Sequence, residues 1–529
     1  MTASGSTRAR LLGLAVLTGL ALPLAFSIWR VPWLAWVAVV PLLIAARRAT
    51  PAQAALLGLV SGILTDALGV HWLIDSGVAP GAFCILILIA ASKYAVFGVG
   101  VSLVYHHRPA AAALAVPTLW VVLEWLRANL GWLSIPWGLL GYSQYEVAPL
   151  VRTASVAGVY GVSFALLVSN VLVAEIYHRW TTQPLGDRDR TSSRVPAIAL
   201  SVGLSVGILT LANGYAPPTG SAPNLRVAVI QAGVYEPAIH DVRERNAILD
   251  RYMQLTREAA RGADLDLVIW PESSVPVAFP YDTGAMGLLL DLAQEIDASV
   301  LVAASGRDKL SRSGREPEVA NSAFLIGPGQ EIEGRYDKIR LLPFDEYLPL
   351  RSWISWPAWI TTLRRDATPG TEPGVLETAG VRYGVQICFE SLFASEGRRT
   401  ASQGVDFLVT LTNEAFAGTP GSHELLFAMN VFRAAENGVP LVRAATTTIS
   451  AIVAADGSVL ERSSTSPGII VADLPPATAP TLYARLGDWT LLVLAGLSVA
   501  VLFADPQPNR SSRSISWRHG DSGSAEWTA

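Results

Sequence analysis

The chain has 529 residues, of which 51% are hydrophobic and only 16% are charged, whereas soluble domains usually carry about 25% charged residues. This composition predicts membrane-spanning segments. The net charge of −4 argues against the basic field that nucleic-acid binding requires, so no nucleic-acid partner is expected. Cys84 and Cys388 are the only cysteines. They form neither a disulfide framework nor a metal-ligand spacing, and no metal or other cofactor is expected.

Long apolar runs dominate residues 1–215. They predict seven transmembrane helices at about 11–28, 31–46, 53–74, 82–105, 110–128, 157–178 and 195–214, each close to the ~20 residues that cross a hydrocarbon core. An eighth span is predicted at 486–504, and the polar tail 505–529 is expected to be disordered. Because Arg8 and Arg10 precede the first run, a signal peptide is the alternative for that run.

The distribution of arginine between alternate connections predicts the orientation in the membrane. One set of connections holds Arg8, Arg10, Arg47, Arg48, Arg108, Arg179, Arg188, Arg190, Arg194, Arg510, Arg513 and Arg518. The other set of short loops holds only Arg30, Arg127 and Arg152. Both termini are therefore expected to be cytoplasmic, and the segment between the seventh and eighth spans is expected to be outside the cell membrane.

Aromatic residues are concentrated in the loop at 129–156, which the same argument places on the outer face. Trp132, Trp137, Tyr142 and Tyr145 suit the level of the lipid headgroups. Anchoring of neighbouring helices and contact with lipid both remain open as their role.

Four charged side chains lie in or near the predicted spans: Asp66, Lys93, Glu124 and Glu175. A transporter would be expected to carry several such charges inside the bilayer, but some of these lie near span ends, which makes a transporter the weaker interpretation. Asp66 and Lys93 are expected to pair with each other, with a polar cleft as the alternative.

Residues 220–478 have more charged residues and predict a globular α/β domain. Strands are predicted at 225–231, 265–270, 299–304, 322–326, 383–387, 407–411 and 441–445. Apolar residues at helical spacing predict helices at 241–261 and 422–437. This alternation indicates helices that cover a sheet.

Three stretches of this domain place an ionisable residue just after a strand. Glu272 follows the predicted strand 265–270, Lys338 and Glu346 lie in the stretch 334–349, and Cys388 follows Ile387 at the end of the predicted strand 383–387. Since sites in open α/β sheets collect beyond the carboxyl ends of strands, these residues are expected to converge. A carboxylate, an ammonium and a thiol can act as base, oxyanion stabiliser and nucleophile in acyl transfer. A structural cysteine with two ordinary surface charges is the alternative.

Five ordered motifs resemble the carbon-nitrogen hydrolase (nitrilase) superfamily. They are Trp270-Pro-Glu-Ser, Tyr336-Asp-Lys followed by Leu341-Leu-Pro-Phe-Asp-Glu-Tyr-Leu-Pro, Ile387-Cys-Phe-Glu-Ser, Thr412-Asn-Glu-Ala-Phe and Arg433-Ala-Ala-Glu. With spans on both sides, residues 10–504 more narrowly resemble the bacterial apolipoprotein N-acyltransferase family. The resemblance implies a four-layer α-β-β-α sandwich outside the membrane. It also implies a triad of Glu272 as base, Lys338 as oxyanion-stabilising group and Cys388 as nucleophile.

Further positions follow from the same resemblance. Glu346, Glu390 and Asn321 match positions with supporting roles in the family's site. Phe389, Phe416 and His240 stand where the family pattern has tyrosine, tryptophan and tryptophan, and these departures are expected to reshape the lipid pocket.

The implied reaction has two steps. A glycerophospholipid acylates Cys388, and the thioester then passes its acyl chain to the α-amino group of the S-diacylglyceryl cysteine of an apolipoprotein. Neither a metal nor a nucleotide is required. A membrane-tethered amidase or nitrilase and a catalytically silent membrane scaffold are the alternatives.

Overall fold

The computed structural model describes residues 5–26, 29, 31–75, 78–182, 195–214, 224–233, 242–307, 319–361, 363, 365–414 and 420–503. The first part is helical. Its helices are α1 (Gly5–Leu24), α2 (Val40–Arg48), α3 (Pro51–Gly69), α4 (Trp72–Asp75), α5 (Pro80–His107), α6 (Ala112–Asn129), α7 (Ala148–Arg152), α8 (Ala154–Thr182) and α9 (Val195–Gly214). Six of them, α1, α3, α5, α6, α8 and α9, are long and apolar enough to cross a membrane.

The predicted span at 31–46 is not one helix. A 3₁₀ helix at Pro32–Trp36 is followed by the nine-residue helix α2, which has a proline in its first turn. Proline removes a backbone donor and disfavours a helical residue before it. Nine residues of α-helix rise about 14 Å, less than half of a ~30 Å hydrocarbon core.

Neighbouring helices satisfy the backbone at this break. The amide of Val39 donates to Asn170 Oδ1 at 2.9 Å, and the amide of Leu42 donates to Thr18 Oγ1 at 3.0 Å. Such partners allow irregular backbone at membrane depth. At the other end of the chain, α14 (Leu482–Leu486) leads into the apolar α15 (Trp489–Phe503), which has 15 described residues, so eight spans stay a prediction.

The second part contains two six-stranded sheet paths. The strands are β1 (Arg226–Gln231), β2 (Leu267–Ile269), β3 (Val275–Phe279), β4 (Ser299–Arg307), β5 (Val319–Gly327), β6 (Glu331–Asp337), β7 (Gly374–Thr378), β8 (Val381–Ile387), β9 (Phe407–Thr412), β10 (Leu441–Ala445), β11 (Ser450–Val453), β12 (Val459–Ser463) and β13 (Gly468–Asp473). The first sheet has the order β13-β1-β2-β4-β5-β6 with β3 beside β4, and the second has the order β12-β11-β10-β9-β8-β7.

The two sheets pack face to face, and helices cover their outer sides. Alternate residues of β1 show the layering: Val227 and Val229 lie in the core between the sheets, whereas Ala228 and Ile230 pack against α10 (Val242–Gly262). Helix α11 (Thr283–Ile296) lies on the same side, while α12 (Ala394–Ala401) and α13 (Pro420–Asn437) cover the second sheet. The predicted four-layer α-β-β-α sandwich is therefore confirmed.

Helix α13 joins the two parts of the chain. Its Phe427 and Phe432 rings pack edge-on against Tyr145 and Tyr142, at centroid distances of 6.2 and 5.2 Å. The outer face of the second sheet, α13 and the membrane helices belong to one hydrophobic core. Tyr142 and Tyr145 are buried, so they anchor neighbouring elements and do not form a lipid-facing belt.

Candidate active site

Glu272 lies just beyond β2, and its carboxylate is held by two donors. Pro271 ends the strand, and Glu272 is buried. The Asn321 side chain donates to Oε1 at 2.8 Å, and the Asn413 amide donates to Oε2 at 2.7 Å. The carboxylate therefore has a fixed orientation at the carboxyl end of its strand.

Lys338 follows β6 directly and is almost completely buried. Its Nζ lies 2.8 Å from Glu346 Oε2 and 3.9 Å from Glu272 Oε1. Asn321 links the two carboxylates, because its side chain also donates to Glu346 Oε1 at 3.0 Å. The backbone amide of Leu342 donates to Glu346 Oε2 at 2.6 Å. The structure thus brings Glu272, Lys338, Glu346 and Asn321 together.

Cys388 begins a 3₁₀ turn (Cys388–Leu392) at the end of β8, and it is half-buried. Its φ is +52°, a left-handed conformation that is uncommon for residues other than glycine and that recurs at functional sites. Strand β8 runs parallel to β9, and Ile387 pairs with Leu411. The cysteine therefore lies beside the end of β9, close to Asn413.

Glu390 fastens this turn to the lysine segment. It accepts hydrogen bonds from Tyr336 Oη at 2.6 Å and from the amides of Ile387, Ile339 and Arg340 at 2.7, 3.1 and 3.2 Å. Burial raises the pKa of Glu390 to about 7, although these donors oppose the shift. The contacts make Glu390 a positioning residue for both halves of the site.

The charges of the site perturb one another. Burial raises the pKa of Glu272, Lys338 lowers it, and the negative charge of Glu346 raises it again, so that this pKa is raised overall. Burial lowers the pKa of Lys338, but the negative charges of Cys388, Glu272 and Glu346 outweigh it, so that pKa is raised. Burial and then Glu272 raise the pKa of the Cys388 thiol, while Lys338 lowers it. Lys338 is thus ionised and favours the charged forms of both Glu272 and the thiol.

A second buried ion pair, which the sequence reasoning missed, lies beneath the end of β9. Arg443 on β10 donates to Glu414 and to Asn430, and Thr448 Oγ1 donates to Glu414 at 2.9 Å. The negative charge of Glu414 also reaches Cys388. The Thr412-Asn-Glu motif at the end of the predicted strand 407–411 was the available signal for these residues.

Of the three positions that depart from the family pattern, Phe389 alone lies within the described residues. Phe389 is buried, and its ring packs against Phe393 at 4.9 Å and Trp137 at 6.3 Å. Phe416 and His240 lie outside the described residues. Phe389 therefore faces the loop of the membrane domain, and its role in a lipid pocket stays a prediction.

Comparison with known proteins identifies both parts of the chain. Residues 18–172 match the apolipoprotein N-acyltransferase N-terminal domain, and residues 226–482 match the carbon-nitrogen hydrolase family. The second domain is also similar to a mutant amidase of the nitrilase superfamily from Nesterenkonia, with 20% identity, a TM-score of 0.39 and coverage of 52% of this chain and 99% of the amidase.

Full-length relatives match most of the chain. A protein named apolipoprotein N-acyltransferase from Geobacter metallireducens is 31% identical, over 93% of this chain and 95% of the relative. One of the same name from Bradyrhizobium diazoefficiens is 28% identical, over 77% of this chain and 76% of the relative. One from Rhizobium meliloti is 30% identical, over 68% and 67%. Through these relatives and the two domain matches, the chain belongs to the apolipoprotein N-acyltransferase family, as its motifs predicted.

Proposed function

We propose that this protein transfers an acyl chain from a membrane glycerophospholipid to the α-amino group of the S-diacylglyceryl cysteine at the N-terminus of an apolipoprotein. The observation that carries the proposal is the buried Glu272–Lys338–Glu346 cluster beside the half-buried Cys388, in a domain that shares its core with apolar helices. The family of the chain supports the same acceptor and the same bond.

In the first step, Glu272 accepts the thiol proton, and Sγ of Cys388 attacks the ester carbonyl of the lipid. Lys338 and backbone N–H groups near the Cys388 turn stabilise the oxyanion, a contribution of about 3–4 kcal/mol where a single such donor has been removed. The C–O bond then breaks, Glu272 returns the proton to the alkoxide, and a lysophospholipid leaves. Cys388 is left as a thioester.

In the second step, the free amine of the acceptor attacks the thioester carbonyl. Glu272 accepts a proton from the amine, the C–S bond breaks, and the proton passes to the thiolate. An amide and the free Cys388 thiol are the products. The reaction is therefore a two-step exchange that consumes no water, metal or nucleotide.

The proposed placement is at the outer surface of the cell membrane, with both termini in the cytoplasm. Two features support it: arginine is concentrated in the alternate connections that the predicted spans put on the side of the termini, and the Cys388 turn packs through Phe389 against the aromatic loop predicted on the outer face. A thiol in this position can meet an ester carbonyl at headgroup depth.

Intact mass spectrometry after exposure to phospholipid vesicles tests the first step. The wild-type protein is expected to gain the mass of one acyl chain, and Cys388→Ser is expected to gain none. Cys84→Ser is the matched control, because it removes the other cysteine, which is exposed on α5, and it is expected to acylate normally. An unmodified wild-type protein, or acylation that persists in Cys388→Ser, would refute the proposal.

A diacylated lipopeptide added to the acyl-enzyme tests the second step. N-acylated peptide is the expected product. Free fatty acid without N-acylated peptide would instead identify a membrane-tethered hydrolase. Full activity of Cys388→Ala in cells would identify the silent scaffold.

A further inference from the structure

The loop between α6 and α8 has irregular backbone that side chains of α6 hold in place. Arg127 Nε donates to the carbonyl of Ile135 at 3.3 Å, and Arg127 Nη2 donates to the carbonyl of Trp137 at 2.5 Å. Glu124 Oε1 accepts from the amide of Leu140 at 2.7 Å. We call residues 130–141 the membrane-domain loop. Its carbonyls thus meet a cation and its amide meets an anion.

The ionic residues themselves are buried among membrane helices. Asp66 on α3 lies 3.4 Å from Arg127 Nη1 through its Oδ1, and Asp66, Glu124 and Arg127 are all less than 10% exposed. Buried charges of this kind are costly and are retained for a purpose. Here the purpose is visible: irregular backbone is tolerated at membrane depth only where protein groups satisfy it.

The expected Asp66–Lys93 pair is therefore wrong. Lys93 instead lies over the rings of Tyr94 and Trp120, at 4.6 and 4.8 Å from their centroids. Arg127, which was assigned to an outer loop, is a buried residue of α6.

The other side of the membrane-domain loop contacts both halves of the candidate active site. Ser134 Oγ accepts from Arg340 Nη2 at 3.3 Å, and Arg340 is two residues beyond Lys338. The Trp137 ring lies 6.3 Å from the ring of Phe389, which directly follows Cys388. The loop therefore forms the wall between the membrane helices and the proposed triad.

Gly138 allows the arginine to approach. Its φ is +71°, and a Cβ at this position would lie 3.2 Å from Arg127 Nη2. A side chain here is disfavoured by the backbone conformation and by contact with the guanidinium. Gly138 thus offers a way to disturb the loop without removing a charge.

We propose that Asp66, Glu124 and Arg127 are positioning residues that hold the membrane-domain loop as one wall of the pocket for the acyl donor. The inference rests on the proposed function, and it concerns the lipid and not the thiol chemistry. None of the three residues belongs to the triad. Their loss should therefore impair reaction with a long-chain phospholipid ester and leave the Cys388 thiol reactive toward a small soluble reagent.

The test compares two reactions of Cys388 in a Cys84→Ser background. For Arg127→Met, acylation by phospholipid vesicles is expected to fall about 10²-fold, the effect of a misplacement of about 1 Å, with a raised KM for the lipid. Alkylation by iodoacetamide is expected to proceed at the wild-type rate. Gly138→Ala is expected to show the same split, and it decides the question if Arg127→Met cannot be purified folded.

Arg47→Met is the matched control. Arg47 forms a comparable 2.7 Å ion pair with Glu175. Val159 is the residue of α8 that lies beside Gly141 of the loop, and Glu175 is 16 residues further along α8, roughly 24 Å away, so this pair does not contact the loop. Its acylation is expected to be normal. The inference would be overturned if both Arg127→Met and Gly138→Ala were acylated at the wild-type rate, or if they lost acylation and alkylation equally. The same loss of acylation in Arg47→Met would also overturn it. Failure of the wild type itself to acylate would instead refute the proposed function.

Discussion

Burial raises the pKa of Glu272, and the nearby carboxylate of Glu346 raises it further against the opposing charge of Lys338, which gives the base a pH dependence. Its raised pKa means that the base becomes protonated, and is lost, at a higher pH than an ordinary glutamate. We therefore expect the rate of Cys388 acylation to fall on the acid side at a pH above 4.5. Glu346→Gln removes a negative charge that raises this pKa, so the acid limb is expected to shift to lower pH.

The measurement is the pH profile of acyl-enzyme formation by mass spectrometry. Glu377→Gln, on the exposed side of β7, serves as the control and should leave the acid limb unmoved. An acid limb that stays in place or moves to higher pH in Glu346→Gln would contradict the argument.

The Cys388 turn depends on Glu390 as its main polar attachment. Its two oxygens accept four hydrogen bonds, and Glu390→Gln replaces one oxygen by a donor that faces other donors. We expect a loss of about 1–3 kcal/mol in the free energy of unfolding, together with a changed rate of Cys388 alkylation by iodoacetamide.

Glu396→Gln provides the comparison, since Glu396 is a half-buried partner of Arg340 and Arg399 and its contribution should stay below about 1 kcal/mol. Thermal unfolding and alkylation rates measure both variants. Equal effects of the two substitutions would show that Glu390 has no special role.

Helix α13 carries a buried polar connection between the two parts of the protein. Arg433 lies 2.8 Å from Glu436 and donates to Leu392 O at 3.2 Å and Tyr142 Oη at 3.0 Å. Glu436 also accepts the Val159 amide at 3.1 Å, a donor that is free because α8 is kinked at Gly158. The pair thus holds the Cys388 turn, Tyr142 and α8 together.

Loss of one partner leaves the other buried and uncompensated, so Arg433→Met is expected to cost about 3–5 kcal/mol of folding free energy. Arg257→Met removes an equivalent but exposed pair with Glu295 and is expected to cost less than about 1 kcal/mol. Thermal unfolding of the detergent-solubilised variants measures both. A similarly small decrease in unfolding temperature for both variants would show that the α13 ion pair does not contribute the expected stability.

Among the secondary-structure elements, the central strands of the two sheets were predicted well from the sequence and the edge strands were predicted poorly. Strands such as Phe407–Thr412 and Leu441–Ala445 are buried on both faces, and such strands have a recognisable continuous apolar run. Strands β6 and β12, which read Glu-Ile-Glu-Gly-Arg-Tyr-Asp and Val-Leu-Glu-Arg-Ser, are largely exposed, so no hydrophobic pattern marks them. They form because a neighbouring strand offers unpaired backbone groups.

The candidate site was predictable for a related reason. Glu272 and Cys388 each follow a predicted strand, and that rule brings strand ends together without knowledge of contacts. Lys338 follows β6, which was not among the predicted strands, so its place in the site came from the resemblance of its motif to the family. The partners of Asp66 and Arg127 depend on which helices are neighbours. Local periodicity carries no information on that choice, so the sequence reasoning paired Asp66 with the wrong cation.

For the whole molecule, the orientation in the membrane can be tested with single cysteines. In a Cys84→Ser, Cys388→Ser background, Glu372→Cys lies on an exposed part of the catalytic domain, and Arg48→Cys lies at an exposed end of α2. A membrane-impermeant maleimide is expected to label the first in intact spheroplasts and the second only after permeabilisation. The reverse pattern would place the proposed triad in the cytoplasm and refute the outer-leaflet assignment.

The core shared by α13 and the membrane helices has a consequence for what can be cut away. A fragment of residues 224–481 would expose Phe427, Val431 and Phe432 as one hydrophobic patch, and patches of this kind promote self-association. Size-exclusion chromatography is expected to find that fragment in aggregates, whereas a monodisperse, folded fragment would mean that the seam is separable. The membrane helices therefore form part of the same hydrophobic core as the catalytic domain and do more than attach it to the membrane. Fusion of the fragment to a foreign membrane anchor should not make it soluble or active.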